Sequence, residues 1–132
     1  MRIAILDDNP VIGHLLQNML ELAGHNVSVH HKPATFYAVI NQERRSAPFD
    51  LVIVDLCLSG PHSGAQVIHS LKMAFAELPV VLCTAADSAT IEAAMKGLSG
   101  VKVLHKPFKI IDLLAVIQAC TCAPGHGVLY AQ

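Results

Sequence analysis

The stretch Leu51-Val52-Ile53-Val54-Asp55 decides the fold of this chain of 132 residues. Four apolar residues, three of them β-branched, run directly into one carboxylate. A short continuous apolar run of this kind predicts a strand buried on both faces, as in the middle of a parallel sheet. Because a charge does not belong inside such a strand, we expect Asp55 at its carboxyl end. In an open parallel sheet, ligands bind at that edge.

Three other apolar runs also end in polar residues. The run 3–6 ends in Asp7-Asp8, the run 80–83 ends in Thr84, and the run 101–105 ends in Lys106-Pro107. If these strands are parallel neighbours, three carboxylates, a hydroxyl and an ammonium group converge on one edge of the sheet.

The rest of the sequence predicts strands that alternate with helices, which indicates an α/β sandwich around a parallel sheet. The strands are expected at 2–6, 26–31, 50–54, 80–83 and 101–105. The helices are expected at 10–23, 33–43, 64–76, from Asp87 or Ser88 to 96, and at 108–119. Asn9 suits the N-cap of the first helix, with Pro10 in its first position. Gly13, inside that helix, costs about 1 kcal/mol relative to Ala, and the sequence offers no packing reason for it.

Composition limits the classes of function. The chain is 53% hydrophobic and 14% charged, with a mean hydropathy of +0.50, so we expect an exposed apolar contact surface. A formal net charge of -1 argues against direct nucleic-acid binding. The sequence shows no signal peptide and no apolar run of about 18 residues, which predicts a cytoplasmic protein. Cys57 and Cys83 are interpreted as small hydrophobic residues rather than disulfide partners.

Together, four motifs resemble the receiver domain of two-component response regulators. They are the acidic pair Asp7-Asp8, Asp55, Thr84, and Lys106-Pro107-Phe108. Each motif alone has an ordinary explanation, such as a solvated turn or a surface lysine, but their joint occurrence in order is specific. The resemblance covers roughly residues 1–120, with 121–132 as a tail or the start of a linker. It implies a doubly wound (βα)5 sandwich of three layers, flavodoxin-like, with strand order 2-1-3-4-5.

The resemblance also implies a role for each residue of the site. Asp55 would accept a phosphoryl group from a histidine kinase or a histidine phosphotransfer protein, as a carboxylate nucleophile. Thr84 and Lys106 would contact the phosphoryl oxygens, and the peptide bond before Pro107 would be cis. Mg²⁺ would be the cofactor, and a hard, oxygen-rich set of ligands suits it. That set comprises Asp7, Asp8, Asp55 and the backbone carbonyl of Cys57.

Two departures from the family pattern leave alternatives open. Val103 occupies the switch position, which is usually aromatic, and the loop after Asp55 carries Ser59 in place of a proline and is one residue longer before Gly64. The main expectation is a signalling switch rather than an enzyme. The alternative is a degenerate receiver that serves as a phosphorylation-independent dimerisation or scaffold module. A small hydrolase is disfavoured because Cys57 stands where such enzymes carry a second aspartate, and a flavin carrier is weaker still.

The last predicted helix is more apolar than one buried stripe requires. Its apolar residues are Ile110, Ile111, Leu113, Leu114, Val116 and Ile117. Either this helix has a wide buried face, or it contributes to a partner surface, such as a homodimer through helix 4, strand 5 and helix 5. The eight histidines show no shared ligand spacing and are interpreted as surface residues.

Overall fold

The computed structural model describes residues 1–41, 48–58 and 63–121. Five strands form one parallel sheet: β1 (Arg2–Leu6), β2 (Asn26–His30), β3 (Leu51–Asp55), β4 (Val80–Thr84) and β5 (Val101–His105). Their order is β2-β1-β3-β4-β5, which confirms the predicted doubly wound topology. The central strand β3 pairs with β1 on one side and with β4 on the other.

Five helices connect the strands: α1 (Pro10–Leu22), α2 (Pro33–Ile40), α3 (Gly64–Ala74), α4 (Ser88–Ala94) and α5 (Ile110–Thr121). Asn9 caps α1 by accepting hydrogen bonds from the amides of Val11 and Ile12. Ser63 and Gln66 form a reciprocal capping box at the start of α3, and Asp87 caps α4. Each cap satisfies amides that have no partner within the helix.

The sheet separates two hydrophobic clusters, so the fold has three layers. On one face, α2, α3 and α4 cover the sheet through buried residues such as Phe36, Ile68 and Ile91. On the other face, α1 and α5 cover it through residues such as Leu16, Leu20 and Leu113. All five residues of β3 are buried, as expected for a central strand with helices on both faces.

Several predicted helix ends differ from the structure. Helix α2 ends at Ile40, with Asn41 as its C-cap, rather than near residue 43, which lies outside the described residues. Helix α4 ends at Ala94 with Met95 as its cap, and α5 begins at Ile110 rather than at Phe108. Phe108 instead packs against the α1/α5 cluster, so tertiary packing overrides its place in the helical pattern. The predicted tail beyond Thr121 also lies outside the described residues.

The structure explains Gly13. A Cβ at this position would lie 2.9 Å from Cγ1 of Val29 and 3.5 Å from Cε1 of His31. The missing side chain therefore allows α1 to approach β2 closely, which offsets the helix propensity lost at this position.

Candidate functional site at the carboxyl edge of the sheet

The four polar motifs meet at one edge of the sheet, as the sequence predicts. Asp55 and Thr84 are the last residues of β3 and β4, whereas Asp7 and Lys106 directly follow β1 and β5. Asp7, Asp55 and Thr84 are buried. The site lies at the carboxyl ends of β1 and β3, the two strands between which the strand order reverses. Ligands bind at this point in sheets of this topology.

Three carboxylates form an acidic cluster. Asp7, Asp8 and Asp55 each offer one oxygen, and these oxygens lie within 4.8 Å of one another. Asp7 Oδ1 accepts a hydrogen bond of 2.9 Å from the amide of Asn9. Asp55 Oδ1 accepts one of 3.2 Å from the amide of Cys57. These bonds hold the two carboxylates in place.

Lys106 supplies the positive charge of the site. Its Nζ lies 3.2 Å from Asp7 Oδ2 and 3.6 Å from Asp55 Oδ2. The Lys106–Pro107 peptide bond is cis, in agreement with the resemblance. The amide of Lys106 donates to the carbonyl of Thr84, which joins the ends of β4 and β5.

The site shifts the pKa values of Asp55 and Lys106. Burial, together with the negative charge of Asp7, raises the pKa of Asp55, and the ammonium group of Lys106 opposes that shift. Burial alone would lower the pKa of Lys106, but the carboxylates of Asp55 and Asp7 outweigh it and raise that pKa. Lys106 therefore does not fully offset the burial of Asp55 and its repulsion by Asp7, a condition that favours an added cation.

The donor set fits a hard divalent cation. Carboxylate oxygens with room for water are the ligands that Mg²⁺ takes in proteins. Cys57 lies two residues after Asp55, the last residue of β3, and its side chain is exposed. A carbonyl ligand at this position places no demand on the thiol.

Thr84 lies at the rim of the site on the other face of the sheet. Its Oγ1 accepts a hydrogen bond of 3.0 Å from the amide of Ala86, which shapes the turn before α4. Val103 packs partly buried against the cluster under α2, α3 and α4. The resemblance predicts an aromatic side chain at this position, and Val103 is aliphatic.

Sequence reasoning missed the contribution of His31. Its Nδ1 lies 3.0 Å from the backbone carbonyl oxygen of Asp7. The amide of Asp7 donates to the carbonyl of His30, so the end of β2 braces the acidic cluster from outside. The predicted strand order makes β1 and β2 neighbours, and this adjacency was the available signal for a contact between residues near their ends.

Comparison with known proteins agrees with this geometry. A family model described as "response regulator receiver domain" matches residues 3–118. The chain is 34% identical over 121 residues to the transcriptional regulatory protein QseB of Haemophilus influenzae, covering 90% of this chain and 52% of QseB. It is 31% identical over 117 residues to the uncharacterized transcriptional regulatory protein YkoG of Bacillus subtilis, covering 89% and 49%. The chain thus spans about half the length of these relatives.

Solved structures share the fold. A response regulator receiver domain protein from Clostridium thermocellum superposes with a TM-score of 0.78 at 22% identity, covering 90% of this chain and 92% of that one. The response regulator TrrA of Thermotoga maritima, solved in complex with Mg²⁺-BeF, gives a TM-score of 0.77 at 21% identity, covering 90% and 97%. Within the described residues, no helix is long and apolar enough to cross a membrane.

Proposed function

The chain belongs to the receiver domain family of response regulators, and we propose that it works as a phosphoryl-accepting switch with Asp55 as the acceptor. The observation that carries this proposal is the convergence of three carboxylates and Lys106 at one sheet edge, with Lys106 Nζ 3.6 Å from Asp55 Oδ2. A family member that served only as a scaffold would not require this charge arrangement.

Each residue contributes a separate part of the chemistry. An oxygen of Asp55 forms a bond to phosphorus as the bond between phosphorus and the donor breaks, which gives an aspartyl-phosphate. Lys106 favours the ionised form of Asp55 and offers its ammonium group to the phosphoryl oxygens. Thr84 offers a hydroxyl donor at the same edge.

Asp7, Asp8, Asp55 and the backbone carbonyl of Cys57 would hold Mg²⁺. When bound, the ion neutralises the charge that accumulates as an anionic carboxylate approaches an anionic phosphoryl group. This assignment is supported by the mutual distances of the three carboxylates. The complex of TrrA with Mg²⁺-BeF is consistent with the same chemistry in a relative of the same fold.

The partner that donates the phosphoryl group is, in our proposal, a histidine kinase or a histidine phosphotransfer protein. Val11 and Leu15 on α1 are exposed, as are Ile110 and Ile111 at the start of α5. Both helices lie in the same layer and begin at the edge that carries Asp55. A modest apolar surface beside the acceptor suits transient recognition.

The direct test is the intact mass of the protein after incubation with Mg²⁺ and a small-molecule phosphodonor. We expect one phosphoryl adduct per chain, labile to base, in the wild type and none in Asp55→Asn. Asp50→Asn is the matched control, because Asp50 is an exposed aspartate that pairs with Arg2 at the opposite edge of the sheet. An adduct that survives in Asp55→Asn would refute the acceptor assignment. No adduct in the wild type, with Mg²⁺ shown to bind, would favour the scaffold alternative.

A further inference from the structure

We propose that His14 and His31 form a second metal site, separate from the acidic cluster, that binds a divalent transition ion of the Zn²⁺ class through two imidazoles. His14 lies on α1 and His31 directly follows β2. Their ring centroids are 6.4 Å apart with the ring planes tilted by 45°, and both side chains are exposed. The proposal does not depend on phosphorylation of Asp55.

The hydrogen bond of His31 prepares this ring for metal binding. A carbonyl oxygen has no proton to donate, so Nδ1 of His31 must be the donor to the carbonyl of Asp7 at 3.0 Å. In the neutral imidazole, the lone pair is then on Nε2. Histidine ligands of metals characteristically donate their other ring nitrogen to a backbone carbonyl or carboxylate, which fixes the tautomer and orientation of the ring.

Gly13 brings the second ring within reach. A Cβ at this position would collide with Val29 and would lie 3.5 Å from Cε1 of His31, so the backbone of α1 passes directly beside the His31 ring. His14 is the next residue along that helix. The close approach that Gly13 permits therefore places the two imidazoles on one surface.

The spacing fits a shared ion. Zn–N bonds are about 2.0–2.1 Å, so two rings on one ion have centroids about 5–6 Å apart, depending on the angle at the metal. A small rotation of the exposed His14 side chain, with His31 held by its hydrogen bond, closes the observed 6.4 Å. Imidazole suits Zn²⁺, Ni²⁺ and Cu²⁺, whereas Mg²⁺ prefers the carboxylates. The remaining positions on the ion face solvent and are open to water.

The test uses Ni²⁺ as the probe, titrated into the isotope-labelled chain in the presence of excess Mg²⁺, which occupies the carboxylates. Binding is measured by calorimetry, and the site is located by paramagnetic broadening of backbone amide signals. We expect one strong Ni²⁺ site per chain, with broadening centred on residues 13–15 and 30–32. His14→Gln and His31→Asn should each weaken binding by at least about tenfold. Asn at position 31 keeps a donor for the Asp7 carbonyl.

Two further variants serve as controls. His105→Asn removes another exposed histidine at the same edge of the sheet, and Asp55→Asn removes a carboxylate of the acidic cluster. Both should bind Ni²⁺ as the wild type does, and thermal melts establish that every variant is folded. The proposal is overturned if the wild type does not bind Ni²⁺, if either histidine variant binds normally, or if broadening centres on the acidic cluster or the cysteine-containing C-terminus.

Discussion

Gly64 allows helix α3 to begin directly against the strand end that carries Asp55. A Cβ at this position would press on the carbonyl oxygen of Asp55 and lie 2.6 Å from Cα of Leu56. Both neighbours are backbone and cannot rotate away. The amide of Gly64 also donates to the carbonyl of Leu56, so the helix start and the acceptor loop are tied together.

Gly64→Ala should therefore lower the free energy of unfolding by at least about 2 kcal/mol, because the backbone must shift to accept the methyl group. Urea denaturation measures this loss. Gly24→Ala is the control, since Gly24 has a φ of +94° with no atom within 4 Å of an added Cβ, and only local strain of about 1 kcal/mol applies. Equal losses of unfolding free energy in the two variants would show that the contact of the added methyl group with Asp55 and Leu56 does not destabilise the fold.

The cysteines near the site should differ sharply in reactivity. Burial raises the pKa of the Cys83 thiol to about 12, so almost none of it is thiolate at pH 8. Cys57 is exposed. Because the thiolate is the reactive species, brief alkylation at pH 8 should label Cys57 and leave Cys83 unmodified until the chain is unfolded in urea. Peptide mass mapping gives the result, and Cys57→Ser identifies the labelled position. Labelling of Cys83 in the folded chain would contradict the burial argument.

Among the elements, strands were easier to predict than helix ends. The predicted bounds of β1 and β5 coincide with the observed strands, because a short β-branched or aliphatic run that ends at polar residues leaves few other choices. The start of α5 at Ile110 rather than at Phe108 depends on how Phe108 packs, which no local pattern specifies. The role of Gly13 and the proximity of His14 to His31 could not be predicted from the sequence either, because both depend on how closely α1 approaches β2.

Helix α5 has a buried apolar face and also exposes apolar residues to solvent. Leu113, Val116 and Ile117 are buried in the core, whereas Ile110 and Ile111 are exposed. The inward residues account for one stripe, as packing against a sheet requires. Ile111 lies outside that stripe, whereas Ile110 is in line with Leu113 and Ile117 but is exposed in the first turn. These two residues are the part of the helix that a partner or a second copy could cover.

Substitutions on the two sides of α5 should therefore separate stability from association. Leu113→Ala should lower the free energy of unfolding by about 2–5 kcal/mol by opening a cavity. Ile111→Glu should change it by no more than about 0.5 kcal/mol. Chemical denaturation measures both effects. Sedimentation of Ile111→Glu, compared with the wild type, tests whether this residue contributes to a homodimer. A large loss of stability in Ile111→Glu would show that the side chain packs within the chain.

At the scale of the whole molecule, carboxylates that repel one another are concentrated at one end of an otherwise apolar sheet. Strands β3 and β4 are buried along their length, and the carboxylates gather where β1 and β3 end. Sequence alone predicted this polarity, since four of the five predicted strands stop at polar residues of the site. The balance of charge depended on distances, because Lys106 lies within 4.0 Å of two carboxylates, those of Asp7 and Asp55, at once.

This balance of charge predicts a reversal in the stability of Asp55→Asn. The pKa of Asp55 is raised, chiefly by burial and then by Asp7, so the folded chain holds that proton more tightly than the unfolded chain. The associated stability is present below the unfolded pKa and is lost as pH rises through the folded pKa. Without divalent cations at pH 7, Asp55→Asn should thus be more stable than the wild type, and its advantage should vanish as the pH falls below the unfolded pKa of about 3.9.

Mg²⁺ should reverse the ranking. At a hundred times its dissociation constant, an ion that binds only the folded state adds about 2.7 kcal/mol to the free energy of unfolding. The wild type should gain this amount at pH 7, whereas Asp55→Asn should gain less because it lacks one carboxylate ligand. Urea denaturation of both proteins with and without Mg²⁺ measures the crossing. If Asp55→Asn were the less stable protein in the absence of the ion, Lys106 would already neutralise the cluster, and the demand for a cation would have to be explained by the phosphoryl group alone.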